Sequence, residues 1–138
     1  METIEETPLN DMTAIEVLSC EGEFSNFVRA LELSGVGDML EKKGPYTVFA
    51  PNDEAFNMET AGGMSSQARL MNALQYYVVP GRYDYRNLNN LPSLITVVGY
   101  PLALKKDHDL TINGAHILRP DIPYNKGIIH MIDQVLYL

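Results

Sequence analysis

Apolar residues recur at helical spacing in the first third of the chain and at strand spacing in the last third. Ala14, Val17 and Leu18 fall on one helical face after Asp11, which suits an N-cap. A second stripe, Phe24, Phe27, Val28 and Leu31, runs to Ser34-Gly35, where glycine ends a helix readily. Val36, Met39 and Leu40 add a short turn before Lys43-Gly44-Pro45 stops it. Tyr46 to Ala50 is rich in β-formers and closed by Pro51, which predicts a strand. Ser65 or Ser66 is placed to cap a third helix carrying Leu70, Met71, Leu74, Tyr77 and Val78, ended by Pro80-Gly81.

The second half reads as strands. Leu94 to Val98 is a short apolar run broken by Gly99 and Pro101, after which Leu102 and Leu104 alternate with Ala103 and Lys105. Leu110 to Ile112, then Asn113-Gly114, then Ala115 to Leu118 predicts a hairpin with a type I′ turn, whose two central residues need positive φ. That turn sets Thr111 opposite His116 and His108 opposite Arg119. Gly127 to Leu136 is apolar at positions of both parities, so this strand is covered on both faces and belongs mid-sheet. Helices followed by an antiparallel set of strands predict an α+β domain, not a doubly wound sheet. The expected core includes Phe24, Phe27, Leu31, Phe49, Phe56, Leu74, Ile129 and Ile132.

Composition narrows the picture. The chain of 138 residues has one domain's length. A chain of this size buries about 68% of its unfolded surface and needs no disulfide or metal staple. Ten Lys and Arg against 18 Asp and Glu give a net charge of −8, which argues against a non-specific nucleic-acid binder. Residues 1–23 hold seven acids and no base, whereas the rest is close to balanced. The expected division is an acidic leader over residues 1–11 and a single domain over 12–138. Met1-Glu2-Thr3-Ile4-Glu5-Glu6 does not read as a signal peptide. No apolar run approaches the 18 residues of a membrane span.

Candidate chemistry is sparse. The single cysteine, Cys20, shares a helical segment with Ala14, Val17 and Leu18 and is expected to be a small buried thiol. Asn52, Asp53 and Glu54 supply too few oxygens for Ca²⁺, so Asn52 or Asp53 is expected to cap the next turn, which buries Phe56. His130 and Asp133 are three apart on a strand and point to opposite faces, so they form no local acid–base dyad. A buried His130 donating to a backbone carbonyl is the expectation. His108 and His116 fall on opposite faces of the hairpin and cannot share Zn²⁺. Asp107-His108-Asp109 is expected to be a polar hairpin base. There is no Gly-x-Ser-x-Gly elbow, P-loop or dinucleotide fingerprint, so no enzyme, cofactor or metal site is expected.

Two segments carry a family resemblance. Gly44-Pro45-Tyr46-Thr47-Val48-Phe49-Ala50-Pro51-Asn52-Asp53-Glu54-Ala55-Phe56 resembles the first signature of fasciclin-type (FAS1) domains. The stretch from Asn125 through His130 and Asp133 to Leu136 resembles the second. Tyr76-Tyr77-Val78-Val79-Pro80-Gly81 is similar to the family's Tyr-His-Val-Val-Pro-Gly stretch. Asn113-Gly114 and Pro120-Asp121-Ile122 also fall where the family has such residues.

The resemblance implies a wedge or sandwich of two β-sheets with several helices packed on it, α+β and predominantly β. It implies a non-enzymatic adhesion or protein–protein interaction module outside the cell, on its surface or in a periplasm. The partner is then a protein or matrix component, and homo-oligomerisation is compatible with it. Tyr76, Tyr77, Asp121 and Ile122 become the candidate partner-binding residues, with Tyr77 standing where matrix members have histidine; as large aromatics, Tyr76 and Tyr77 are more readily explained by packing at a helix end, and Asp121 equally by a strand-end turn. Thr47, Pro51, Asn52, Asp53, Phe56, His130 and Asp133 become structural motif residues. The alternative is a carrier of an apolar, carotenoid-like small molecule, drawing on eight Tyr, four Phe and seven Met.

Overall fold

The computed structural model describes residues 12–56, 67–106 and 108–136. Helix α1 (Ala14–Glu21) is capped by Thr13. The Thr13 hydroxyl accepts the Glu16 N–H at 3.1 Å, and the Glu16 carboxylate accepts the Thr13 N–H at 2.9 Å. This capping box takes the place of the expected cap at Asp11, which lies outside the described residues, as does the leader over residues 1–11. Cys20 is exposed rather than buried, because two positions past Leu18 the helix has turned to its outer side. Helices α2 (Ser25–Ser34) and α3 (Val36–Lys42) meet at Gly35, whose φ of 87° closes one and opens the other.

Strand β1 (Tyr46–Pro51) is buried along its whole length. Helix α4 (Gln67–Gln75) ends before Tyr77 and Val78, which were expected within it. Val78 instead starts β2 (Val78–Pro80), which pairs antiparallel with β1 through Tyr46–Pro80, Thr47–Val79 and Val48–Val78. Two β-branched valines beside a buried strand gain more from that ladder than from another helical turn. The candidate caps Ser65 and Ser66 lie outside the described residues. A short helix α5 (Tyr85–Leu88) leads to β3 (Ser93–Ile95), β4 (Pro101–Lys106), β5 (Leu110–Ile112), β6 (Ala115–Tyr124) and β7 (Gly127–Ile132).

The sheet order is β2-β1-β7-β6-β5-β4-β3. The class is α+β, and the strands expected in two sheets are hydrogen-bonded in one series. β6 joins them, pairing with β5 at its start and with β7 beyond, and its register shifts between Ile117 and Ile122 bend it. The set is not wholly antiparallel, since β1 and β7 run parallel from Tyr46–Gly127 to Pro51–Ile132. A Cβ at Gly127 would run into the Tyr46 carbonyl oxygen, so this closest approach requires glycine.

β7 is central and buried throughout, as its pattern predicts, but it stops at Ile132 and not at Leu136. The Asn113-Gly114 turn has φ of 48° and 88°, and it pairs Thr111 with His116. The β5–β6 ladder ends there, so His108 does not face Arg119, which pairs with Met131 of β7. His108 is exposed in a bend, and Asp107 lies outside the described residues.

The expected core residues are all buried. Phe27 meets Phe56 edge-on at 5.6 Å and Tyr77 at 5.5 Å, joining α2 to the chain after β1. Phe49→Ala would open a cavity at the centre of β1 and is expected to cost about 3–5 kcal/mol. Against a typical total of about 5–15 kcal/mol, this would appear as a large drop in the urea midpoint. A midpoint equal to the parent's would refute this placement.

Candidate functional site

β1 and β7 each bury a polar side chain, Thr47 and His130, at 0% exposure. Both reach the segment between β2 and α5. The Thr47 hydroxyl donates to the Gly81 carbonyl at 2.7 Å and accepts the Tyr83 N–H at 2.8 Å. His130 Nδ1 accepts the Asp121 N–H at 3.1 Å, and Nε2 lies 2.8 Å from the Tyr83 carbonyl. An amide N–H only donates, so Nδ1 is unprotonated and Nε2 carries the hydrogen it gives to Tyr83. The Phe49 ring stacks on the imidazole at 5.6 Å. Burial pushes the His130 pKa below 6.5. The Tyr83 carbonyl and the Asp121 and Asp84 carboxylates act against that shift, and Arg82 adds to it.

Asp121 and Ile122 are adjacent but part company. Asp121 sits exposed at a φ of 62°, within the β6 register shift, and its carboxylate accepts the Tyr85 N–H at 2.8 Å. Ile122 is 6% exposed, pairs with Ile129 and belongs to the core. The two are therefore not a joint surface that can be altered without loss of stability.

Tyr76 and Tyr77 are also buried, at 4% and 3% exposure, so the partner contact expected of them is not available. The Tyr76 hydroxyl accepts from Asn113 Nδ2 at 3.0 Å, anchoring the hairpin turn. The Tyr77 hydroxyl accepts the Leu136 N–H at 3.0 Å, holding the segment after β7. Large aromatic bodies with one polar end suit this role inside a small core.

The remaining motif residues also bond to backbone. Pro51 is the last residue of β1, and the Asn52 N–H continues to the Ile132 carbonyl at 3.3 Å. Asn52 Oδ1 accepts the Ala55 N–H at 3.0 Å, closing the turn that buries Phe56. Asp53 does something the sequence does not suggest. Its two carboxylate oxygens accept the Asn26 N–H at 2.9 Å and the Ser25 N–H at 3.3 Å. It thereby caps α2, whose own first turn supplies no side-chain cap, and favours the positive end of that helix dipole. The Asp133 carboxylate accepts the His116 N–H at 2.8 Å, away from His130.

His108 and His116 are both exposed. Among the described residues, no three His, Cys, Asp or Glu side chains group closely enough to hold a metal ion. No described helix is long and apolar enough to cross a membrane. Several open clefts of about 330–360 Å³ mark the surface, one between β2 and β3 and another lined by Lys42, Lys43 and Lys126.

A Fasciclin domain model matches residues 22–138. The match begins just after α1, whose Ala14, Val17 and Leu18 lie in the same core. The chain is 32% identical over 128 residues to uncharacterized protein sll1735 of Synechocystis, covering 90% of this chain and 96% of that protein. It is 30% identical over 131 residues to periostin of Homo sapiens, covering 88% of this chain but 15% of periostin. In three dimensions it resembles a FAS1 domain pair from the insect cell adhesion molecule fasciclin I. The TM-score is 0.70 at 18% identity, over 92% of this chain and 51% of that one.

Two tests follow from this geometry. Above the unfolded histidine value near 6.5 both states hold a neutral His130, and its contribution to stability is complete. As pH falls below that value the unfolded chain takes up a proton that the folded ring resists, so stability declines until pH passes the lower folded pKa. Urea midpoints measured downward from neutral pH should show this loss, and His130→Gln should remove it while lowering stability at neutral pH. An NMR titration with the His130 pKa at or above 6.5 would contradict the assignment. Ile122→Ala is expected to cost about 2–5 kcal/mol as a core truncation. Asp121→Ala should cost about 1 kcal/mol through the Tyr85 hydrogen bond. Equal and negligible losses would place both side chains at the surface.

Proposed function

The chain belongs to the fasciclin domain family, and from that premise we propose that it is a non-enzymatic module of adhesion or protein–protein interaction. The observation that carries this reading is the use made of its buried polar groups. Thr47 and His130 are bonded to backbone on both sides, and Asn52, Asp53 and Asp133 likewise spend their side chains on backbone N–H groups. A general base needs a lone pair aimed at a substrate. His130 has none to offer, because Nδ1 is filled by the Asp121 N–H under a stacked phenyl ring.

Adhesion is the property named for the insect molecule that shares the fold, and this reading extends it to the present chain. The partner is a protein or matrix component, met outside the cytoplasm. Of Tyr76, Tyr77, Asp121 and Ile122, Asp121 alone is exposed and stays a candidate for contact.

The test is attachment. A surface coated with the folded chain should retain cells of the source organism well above a surface coated with the heat-denatured chain. Equal retention would overturn the reading. A visible absorption band in natively purified protein would favour an apolar-ligand carrier instead.

A further inference from the structure

β2 and β3 stand at opposite ends of the sheet order, yet they meet. The Val97 N–H, just past β3, donates to the Val78 carbonyl at 2.9 Å. Tyr77 turns its carbonyl to the Phe49 N–H of β1, so by alternation Val78 and Pro80 turn theirs away from β1. Extending the antiparallel match from Val97–Val78 would bring Ile95 across from Pro80, which has no N–H to give. Among the described residues Val97–Val78 is the one backbone bond between the two segments, and beyond it the strands part. The gap is a cleft of about 360 Å³ lined by Val79, Pro80, Tyr83, Leu91, Leu94 and Ile95.

The outer side of β3 is open along this gap. The Leu104 N–H donates to Pro92 at 3.0 Å and the Thr96 N–H to Tyr100 at 2.9 Å, so residues 92, 94 and 96 face β4. Ser93 and Ile95 therefore direct their N–H and C=O groups into the cleft, where no described strand pairs with them.

Charge selects what fits there. Sheet edges are ordinarily guarded by charged side chains. Here the 18 residues from Asn87 to Leu104 carry none, and Ile95 on the edge is 54% exposed. A second cleft of about 360 Å³ shares Tyr83 and Leu91 with the first and is lined also by Arg82, Asn87 and Asn90. Arg82 is exposed and has no ion pair among the described residues. Asp84 beside it spends its carboxylate on the Asn87 N–H. The groove is thus an uncharged strand edge that ends at a cation.

Building on the reading of the chain as an interaction module, we infer that this cleft docks an extended peptide segment of a partner protein. The peptide adds as a strand to β3, sets its outward apolar side chains beside exposed Ile95, and brings a carboxylate to Arg82. Main-chain hydrogen bonds supply affinity and the pockets supply specificity, as in other strand additions.

The probe is a synthetic heptapeptide of alternating valine and threonine ending in aspartate, titrated into the full chain and followed by NMR. Binding should slow amide exchange at Ser93 and Ile95 and leave exchange in β7 unchanged. Ile95→Pro removes the outward N–H without touching the β4 ladder and should abolish binding, whereas Ile95→Val should retain it. Arg82→Gln should weaken binding about threefold, the worth of an exposed ion pair. A peptide N-methylated at alternate amides tests the same contact with no change to the protein, and it should not bind.

Unchanged exchange at Ser93 and Ile95, or equal binding of the N-methylated peptide, would overturn the proposal. So would a chain that self-associates and is dispersed by Ile95→Pro without binding peptide, since the occupant is then a second copy. Cell attachment that survives Ile95→Pro refutes this cleft and leaves the interaction reading standing. Attachment absent in the parent chain refutes the interaction reading itself.

Discussion

Two parallel strands buried on both faces impose the constraint on which the rest of the structure depends. β1 and β7 lie side by side with burial at every position, and each carries one strongly polar side chain inward. A buried hydroxyl or imidazole left without partners costs roughly 1–3 kcal/mol. Both groups draw the same stretch of chain onto the sheet. Thr47 holds Gly81 and Tyr83, His130 holds Tyr83 and the Asp121 amide, and Asp121 in turn holds Tyr85. The position of α5 and the register shift in β6 both follow from satisfying these two side chains. Gly127 belongs to the same constraint, since any side chain there would separate the strands where they come closest.

Much of this was legible in the chain because local rules and burial agreed. Asn113-Gly114 specifies a tight hairpin whatever surrounds it, and its positive φ values are the ones the turn requires. The both-parity run from Gly127 marked a central strand. Tyr46 to Pro51 has the same character, and two such runs are the usual sign of parallel neighbours. Their pairing is not predicted, because a helix-then-strand order suggests hairpins throughout. The end of α4 is hidden for a related reason. Tyr77 and Val78 keep helical spacing with Leu74, and nothing local reveals that β1 needs a partner at Val78.

The candidate site was less legible, because its residues act on segments far away in sequence. Asp53 looks like a cap for its own turn and instead caps a helix that begins 28 residues earlier. Tyr76 and Tyr77 pack in the core as large aromatics do, but nothing near them in sequence tells that their hydroxyls reach Asn113 and Leu136. Asp121 and Ile122 form one motif in sequence and two environments in space, since alternation along a strand sends neighbours to opposite sides. In each case the residue type is plain from the sequence, and what the sequence does not carry locally is the identity of a tertiary partner.

A division of labour follows. The residues that make the chain recognisable are largely those that satisfy the buried interior, so their presence speaks for the fold and says little about a partner. Choice of partner must then rest on groups that the network around Thr47 and His130 does not consume. Most exposed charge can reorganise in solvent and is weakly specifying. A strand edge cannot, because its N–H and C=O groups have fixed direction and spacing and are best satisfied by another extended backbone. β2 and β3 share one backbone bond among the described residues, Val97–Val78, and the uncharged run from Asn87 to Leu104 leaves the β3 edge unguarded. On the proposed docking, specificity is thus concentrated where the sheet fails to complete itself, at the end of the network that holds Tyr83 in place.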